Sequence, residues 1–442
     1  MPRRSAAGGT DTVGRNAPTR NGRPTTVLLL HGLNTWNTGD LGLLEATVMR
    51  LREELGDDTR VWCEDAFGQP GAKLERHTAR LGIEMTPPLV GVRHHAGISK
   101  AGLLGRMLAA AAGALAVRIV GRRALRALPA TVAMPIRSLL DADVVLSKAG
   151  GHLYATPDRR IGASSYLLTI WVSTMLRRPT VIYAQSVGPF SGWFADRVAR
   201  LAIRGASLAT AREARSFAWL ERVLPGDRLH LTADEAFLVA TPRADQPLGR
   251  VLGMTAVTWR FPGNPDPGRA RRDYEAALVE VARWYIDERG GRVRFVRWLS
   301  GGHREDDGAL IDDLIERIDR PGRVDAIGPF DPTAASEQLG EMEMLVASRL
   351  HSAILGMVAG TPAVAIEYLP KTSEIMDMVT RDPSWVPIDD VGGGRLLRAV
   401  QDAHAHVDER RAELRTRIPE IQARARQNAD LVRGLLAARA HS

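Results

Sequence analysis

Cysteine is almost missing from this chain: one residue, Cys63, stands in 442. A lone thiol excludes an internal disulfide framework and any zinc site built from several cysteines, and its ordinary role is that of a small buried apolar side chain. No uninterrupted apolar stretch reaches the roughly 18 residues of a membrane-spanning helix, and no apolar region follows the early arginines as in a signal peptide. These absences lead us to expect a soluble, cytoplasmic protein. Acidic residues are missing from 85–140, where Arg93, Lys100, Arg106, Arg118, Arg122, Arg123, Arg126 and Arg137 go unopposed. The same segment has no Phe, Tyr or Trp, so it lacks the interleaved aromatics of a nucleic-acid surface, and no nucleic acid is expected as a partner.

What is present is a globular composition, 45% hydrophobic and 25% charged, long enough for two or three domains with real cores. Residues 1–23 hold five arginines against one aspartate in an aperiodic Gly/Ala/Thr stretch, read as a disordered basic tail. TVLLLH from Thr26 to His31 then runs into the turn GLNTWNTGD, and Leu41, Leu44, Val48, Leu51 and Leu55 recur at helical spacing. This strand, loop, helix unit returns at 142–151, 180–189 and 207–213, which predicts a parallel, doubly wound sheet over 24–240 with a basic helical insertion at 85–140. A Pro/polar stretch at 241–249 separates it from a fresh series in 250–395, opened by VLGMTAVTW and continued by strands at 292–302, 342–348 and 362–370. Residues 396–442 read as a helical extension, interrupted at Pro419, able to return and brace the first domain. Two Rossmann-like α/β domains facing across a cleft make the arrangement called GT-B, and ligands in such sheets bind beyond the carboxyl ends of the strands.

The loops at those ends hold the candidate residues. In ASRLHSAILGMVAGTP a strand gives way to a helix that Ser348 is placed to cap, with Arg349 and His351 beside the helix start, a setting suited to a phosphate or carboxylate. Lys371 follows the next strand, PAVAIEY, and adds a cation on a neighbouring loop. Asp40 reads either as an ordinary helix cap or as a group that binds or deprotonates an acceptor hydroxyl. Gly150 and Gly151 suit either a tight turn or a close backbone approach.

These motifs, S-R-L-H-S-x-I followed by G-T-P-A-V-A-I-x-Y and a lysine, resemble the carboxyl-terminal signature of the polysaccharide pyruvyl transferase family. Further landmarks agree in order: Gly32, Asn34 and Asn37-Thr38-Gly39-Asp40 resemble its G-x-x-N-x-G-D pattern, and Asp143 to Gly151 its strand with a glycine pair. Ser186-Val187-Gly188-Pro189 and Arg212-Glu213-Ala214-Arg215-Ser216 resemble two more of its segments, and the likeness runs from about 27 to 378. The resemblance implies a transferase that moves a pyruvyl group from phosphoenolpyruvate onto two hydroxyls of a sugar, forming a cyclic ketal, with no cofactor beyond that co-substrate. It implies donor binding by Arg212, Arg349 and Lys371, with His351 as phosphate contact or leaving-group acid, and Asn37, Gly150, Gly151 and Asp40 lining the site. The acceptor is expected to be a cell-surface polysaccharide or its lipid-linked precursor. A nucleotide-sugar glycosyltransferase or epimerase on the same frame, and a non-catalytic binding member, are the alternatives.

No metal is expected. The run His303, Arg304, Glu305, Asp306, Asp307 reads as a solvated helix start favoured by the dipole, and His94-His95 as surface. Residues 103–128 are helical in propensity, with Arg118, Arg122 and Arg126 spaced as one stripe. They read either as a buried Ala-rich helix with a solvated basic edge or as a peripheral helix touching anionic lipid at the inner face of the plasma membrane.

Overall fold

The computed structural model describes residues 23–32, 34–66, 72–91, 99–155, 160–239, 249–299, 306–382 and 384–441. Among them the strands in chain order are Thr26–Leu30 (β1), Arg60–Glu64 (β2), Ile83–Thr86 (β3), Val144–Ser147 (β4), Gly150–Ala155 (β5), Thr180–Phe190 (β6), Leu208–Ala211 (β7) and Leu229–Leu231 (β8). The second series is Val251–Thr255 (β9), Arg292–Val296 (β10), Val324–Ile327 (β11), Met344–Ala347 (β12), Ala363–Glu367 (β13) and Trp385–Pro387 (β14). β1, β4 and β12 are buried on both faces, which is why they read as unbroken apolar runs rather than as alternation.

The first sheet has the order β3-β2-β1-β4-β6-β7-β8 with β5 paired to β6, and the second the order β11-β10-β9-β12-β13-β14. Every pairing in both is parallel; Val27 on β1, for instance, sits opposite both Val61 and Val144. Chain direction across each sheet reverses at one place, between β1 and β4 in the first and between β9 and β12 in the second. The loops diverge there and open a crevice, so the residues after β1, β4 and β12 are the ones the topology exposes to a ligand.

The helix Val407–Ala440 is continuous through Pro419, correcting the expected interruption; the break falls earlier, at His406, after the helix Arg395–Ala405. Its buried residues Leu414, Ile418, Ile421 and Ala425 join one core with Leu41, Leu44 and Phe237 of the first half and Leu345 and Ile354 of the second. Asn428 accepts from the Thr232 hydroxyl at 2.7 Å and donates to Ala233 O at 3.1 Å, so the last helix does return to the first sheet. The 241–249 stretch lies, except for Gly249, outside the described residues, as do 1–22, His94, His95 and His303 to Glu305.

The insertion is not the buried helix with one solvated basic edge of its first reading, since Leu104, Leu108, Leu115 and Ile119 are exposed along it. Its helix is Lys100–Val120, a 3-10 turn follows at Gly121–Arg126, and Ala130–Asp141 packs alongside. Because the α-helix ends at Val120, Arg118, Arg122 and Arg126 do not form one helical stripe, and Arg122 is tied to Asp141. Residues Ala101–Arg126 are long and apolar enough to cross a membrane by length and composition, against expectation, and only 28% of that apolar window is buried. Cys63 is buried on β2 as expected, and burial pushes its thiol up to about 12.

Candidate active site

The site is built where the two crevices meet. After β1 the chain turns through His31, held at a positive φ of 71°, and reaches the helix Thr38–Leu55. The cap of that helix is Asn37, whose side chain accepts from Gly39 N at 2.9 Å; Asp40 lies inside the first turn. The cap reading of Asp40 is thereby corrected: its carboxylate accepts from Asn34 Nδ2 at 3.3 Å instead. Asn37 also bridges to Leu299, and the Thr38 hydroxyl donates to Phe330 O at 3.0 Å, so the first loop of one half is tied to the second half.

Across that junction stands the helix Leu350–Val358, with Arg349 as its cap residue and His351 in its first turn. Ser348 does not cap it, because its hydroxyl is shared with Tyr274 OH at 2.8 Å; Thr255 Oγ1 accepts the Ser348 and Arg349 amides instead. A Cβ at Gly39 would fall 2.3 Å from His351 Nδ1, so only glycine lets the two helix starts approach this closely. His351 Nε2 is buried and has no hydrogen-bond partner. Burial pushes the imidazole down to about 4, and Arg212 and Lys371 push in the same direction against Asp234 and Asp40.

Gly151 brings the remaining cations together. A Cβ there would lie 3.0 Å from Arg212 Nη2 and 3.0 Å from Lys371 Nζ, one from each half of the molecule. Burial, and next the Arg212 guanidinium, bring the Lys371 ammonium down to about 8. Gly150 is crowded too, with the His152 ring 2.5 Å from where its Cβ would stand. The glycine pair thus serves close approach rather than turn geometry alone.

Arg212 is fully buried at the end of β7. Its Nε donates to Ser186 Oγ at 2.8 Å and its Nη1 to Asp234, which leaves Nη2 buried without a partner. Two of its three guanidinium nitrogens are therefore spent on the protein, and the Nη2 amino group remains for a ligand. Arg349 is nearly buried, with Nη2 3.7 Å from Asp307. Asp307 is no solvated helix start: it is wholly buried and accepts the amides of Trp298 and Leu299 at 3.2 and 3.1 Å.

Beside the cations, on the side of the first sheet, lies a cluster of which the sequence offered only His152, as the residue after the glycine pair on the acceptor side. His31 packs edge to face against His152 and Tyr166, which are tilted toward each other, with ring centroids 4.7 to 5.5 Å apart. Ser147 bonds His31 Nδ1 at 3.1 Å, and Gln185 Nε2 lies 3.2 Å from His152 Nε2. Burial drives His31 down to about 3 and His152 well below its usual value, so both rings are uncharged at neutral pH. This second wall is polar and aromatic, with the buried Lys148 close enough to act on both imidazoles.

The family model for polysaccharide pyruvyl transferase matches residues 37–370, a span that holds Arg212, Arg349 and His351 and ends one residue before Lys371. The chain belongs to the polysaccharide pyruvyl transferase family. It is similar to the amylovoran biosynthesis protein AmsJ of Erwinia amylovora, 28% identical over 225 residues, which are 46% of this chain and 52% of that protein. The match thus spans about half the length of that relative. Among solved structures, the UDP-GlcNAc 2-epimerase of Neisseria meningitidis covers 93% of this chain and 99% of its own, with TM-score 0.55 and 11% identity. The S. aureus MnaA–UDP structure covers 88% and 91%, with TM-score 0.54 and 10% identity. At such identity these likenesses establish the fold alone, the two-domain GT-B type.

Proposed function

We propose that the enzyme transfers a pyruvyl group from phosphoenolpyruvate to two hydroxyls of one sugar residue in a cell-surface polysaccharide or its precursor, closing a cyclic ketal. The observation that carries this reading is the meeting of Arg212 and Lys371 from opposite halves at Gly151, beside His351 at Gly39. Cations this close repel one another, and burial raises the cost, so the arrangement asks for an anion of more than one charge. Phosphoenolpyruvate has both a phosphate and a carboxylate, and the site has unpartnered buried donors in Arg212 Nη2 and His351 Nε2 to meet them.

The chemistry assigns roles in order. A proton added to the donor methylene makes a methyl group and leaves an oxocarbenium-like carbon, which the first sugar hydroxyl attacks, losing its own proton. The C–O bond to phosphate then breaks, and the second hydroxyl adds and loses its proton, so two hydroxyl protons end on the methyl group and on phosphate. Arg212, Lys371 and Arg349 hold the departing negative charge. Burial keeps His351 neutral, and a phosphate beside it favours its charged form, which suits it to contact or protonate the leaving group. Asp40, whose charge acts on both His351 and Lys371, is the carboxylate placed to receive an acceptor proton. The neutral His152 and Tyr166 wall suits the uncharged face of a sugar ring.

The test is product release in the presence of candidate glycan acceptors. Acceptor-dependent phosphate release from phosphoenolpyruvate is expected, with a ketal in the product. UDP release from a sugar nucleotide, with phosphoenolpyruvate inert, would overturn the reading.

A further inference from the structure

The first half carries an exposed surface that neither its core nor the site uses. Along the helix Lys100–Val120 the inner residues Leu103, Ala110, Ala114 and Val117 are buried. The outer face is also apolar: Leu104, Leu108, Leu115 and Ile119 follow one another at helical spacing and are exposed at 57%, 63%, 51% and 73%. A helix apolar all round is ordinarily buried all round, and this one is buried on one side.

A second such face lies close by. The helix Trp193–Ile203 starts three residues past the end of β6 and exposes Trp193 at 79% and Phe194 at 66%, with Leu201 further along. The helix Arg160–Met175 packs between the two, and all three cover the same face of the sheet, opposite the one holding Leu41 and Leu44. Arg118, Arg123 and Arg126 are exposed at one end of the first helix, and Arg197 is exposed on the second. The acids in these elements are engaged: Asp141 pairs with Arg122, and Asp196 with Arg200 and Trp219.

From this we infer that the layer formed by Lys100–Val120 and Trp193–Ile203 seats the enzyme on an anionic lipid surface. Charge complementarity selects that occupant. A protein partner would meet a face fringed with unopposed arginines, whereas a bilayer of anionic lipids offers headgroups to the arginines and acyl boundary to the leucines between them. Trp193 and Phe194 have the size and shape favoured where headgroups meet hydrocarbon. The inner face of Lys100–Val120 remains in the core, so the helix lies on the membrane and does not cross it. The inference is independent of the donor and holds for any reaction the cleft performs.

Flotation of the full chain with vesicles of phosphatidylcholine alone, and of phosphatidylcholine with phosphatidylglycerol, tests this at low and high salt. Binding is expected only to the anionic vesicles, weakening as salt rises. Leu108→Ser with Leu115→Ser and Ile119→Ser, and separately Trp193→Ser with Phe194→Ser, should each abolish most of it. Arg118→Gln with Arg123→Gln and Arg126→Gln should weaken it about fivefold for each cation that reaches the surface. All these residues are exposed, so thermal unfolding should be unchanged, which separates lost docking from lost fold. No binding to anionic vesicles would overturn the inference, as would equal binding by wild type and all variants. A dimer in sedimentation that the leucine variant dissociates would assign the face to a second copy and overturn it equally.

Discussion

Each half of the molecule supplies the cleft with one buried arginine beside one buried aspartate, and the two pairs are set differently. In the first half Arg212 and Asp234 are both without exposure and in direct contact. Burial pushes the Asp234 carboxyl up, but Arg212 and then His351 outweigh it and hold the group below its usual value. In the second half Arg349 and Asp307 stand 3.7 Å apart, and burial pushes Asp307 up to about 6 despite Arg349 and the Leu299 and Trp298 amides. One pair is therefore a closed ion pair with only the Nη2 amino group to spare. The other stands farther apart, and its aspartate is one that a proton can neutralise.

The largest effect expected from that difference is at Arg212. Arg212→Ala leaves Asp234 buried without the cation in contact with it and also strips a partner from Ser186, which should destabilise the fold by about 3 to 5 kcal/mol. Thermal unfolding at neutral pH measures it. A loss as small as that of a surface substitution would mean that the pair is not closed in solution. Arg349→Ala comes next and should separate binding from folding. Asp307 keeps its amide donors and accepts a proton, so unfolding should move less than for Arg212→Ala, while donor binding weakens by on the order of 1.5 to 3 kcal/mol. Unchanged donor affinity would remove Arg349 from the site.

The pH dependence should carry the same contrast with opposite sign. Asp234 has a folded-state value below its unfolded one, so its contribution is present above about pH 4 and is lost as pH falls further. Asp307 has a raised value, so its contribution is present below about pH 4 and is lost as pH rises through about 6. Asp307→Asn should accordingly flatten the unfolding temperature between about pH 4 and 6, a change on the order of 2 kcal/mol, and leave the more acidic limb alone. A flattened acid limb with the middle range unchanged would reverse the assignment of the two pairs.

How far the sequence discloses this arrangement depends on whether a feature is local. β1, β4, β6, β7, β9, β10, β12 and β13 are legible because apolar runs end in small residues before helical patterns. β11 is not, since VDAI is short and only half-buried along its length, and β5 follows β4 too closely to read as a separate strand. Arg212, Arg349, His351, Lys371 and Gly151 are legible as loop residues after strands, and the fold brings Arg212, His351, Lys371 and Gly151 together, with Arg349 paired to Asp307 at the start of the His351 helix. Asp234 and Asp307 as their partners are not, because those contacts join different strand ends across each sheet. Asp40 misleads because Asn37, three residues earlier, has the same capping chemistry. The exposed face of Lys100–Val120 is hidden for another reason: composition states that a helix is apolar, and only packing states which of its sides has a neighbour.

The smallest expected effect lies at the rim, where Arg215 of the first half meets Glu374 of the second. Arg215 Nε lies 2.9 Å from Glu374 Oε1, and its backbone amide donates to Oε2 at 2.9 Å. Glu374 belongs to the helix Lys371–Val379, so this contact helps set the distance between Lys371 and Arg212 across Gly151. Because Arg215 is exposed at 55%, solvent screens the pair, and Arg215→Gln should cost only about 0.2 to 1 kcal/mol in stability. The amide bond survives that substitution, whereas Glu374→Gln weakens both contacts. If the rim positions Lys371, Glu374→Gln should raise the donor KM more than Arg215→Gln does, with kcat nearly unchanged in both and unfolding temperatures alike. Equal KM values in the two variants would leave the pair a surface contact with no part in holding the cleft.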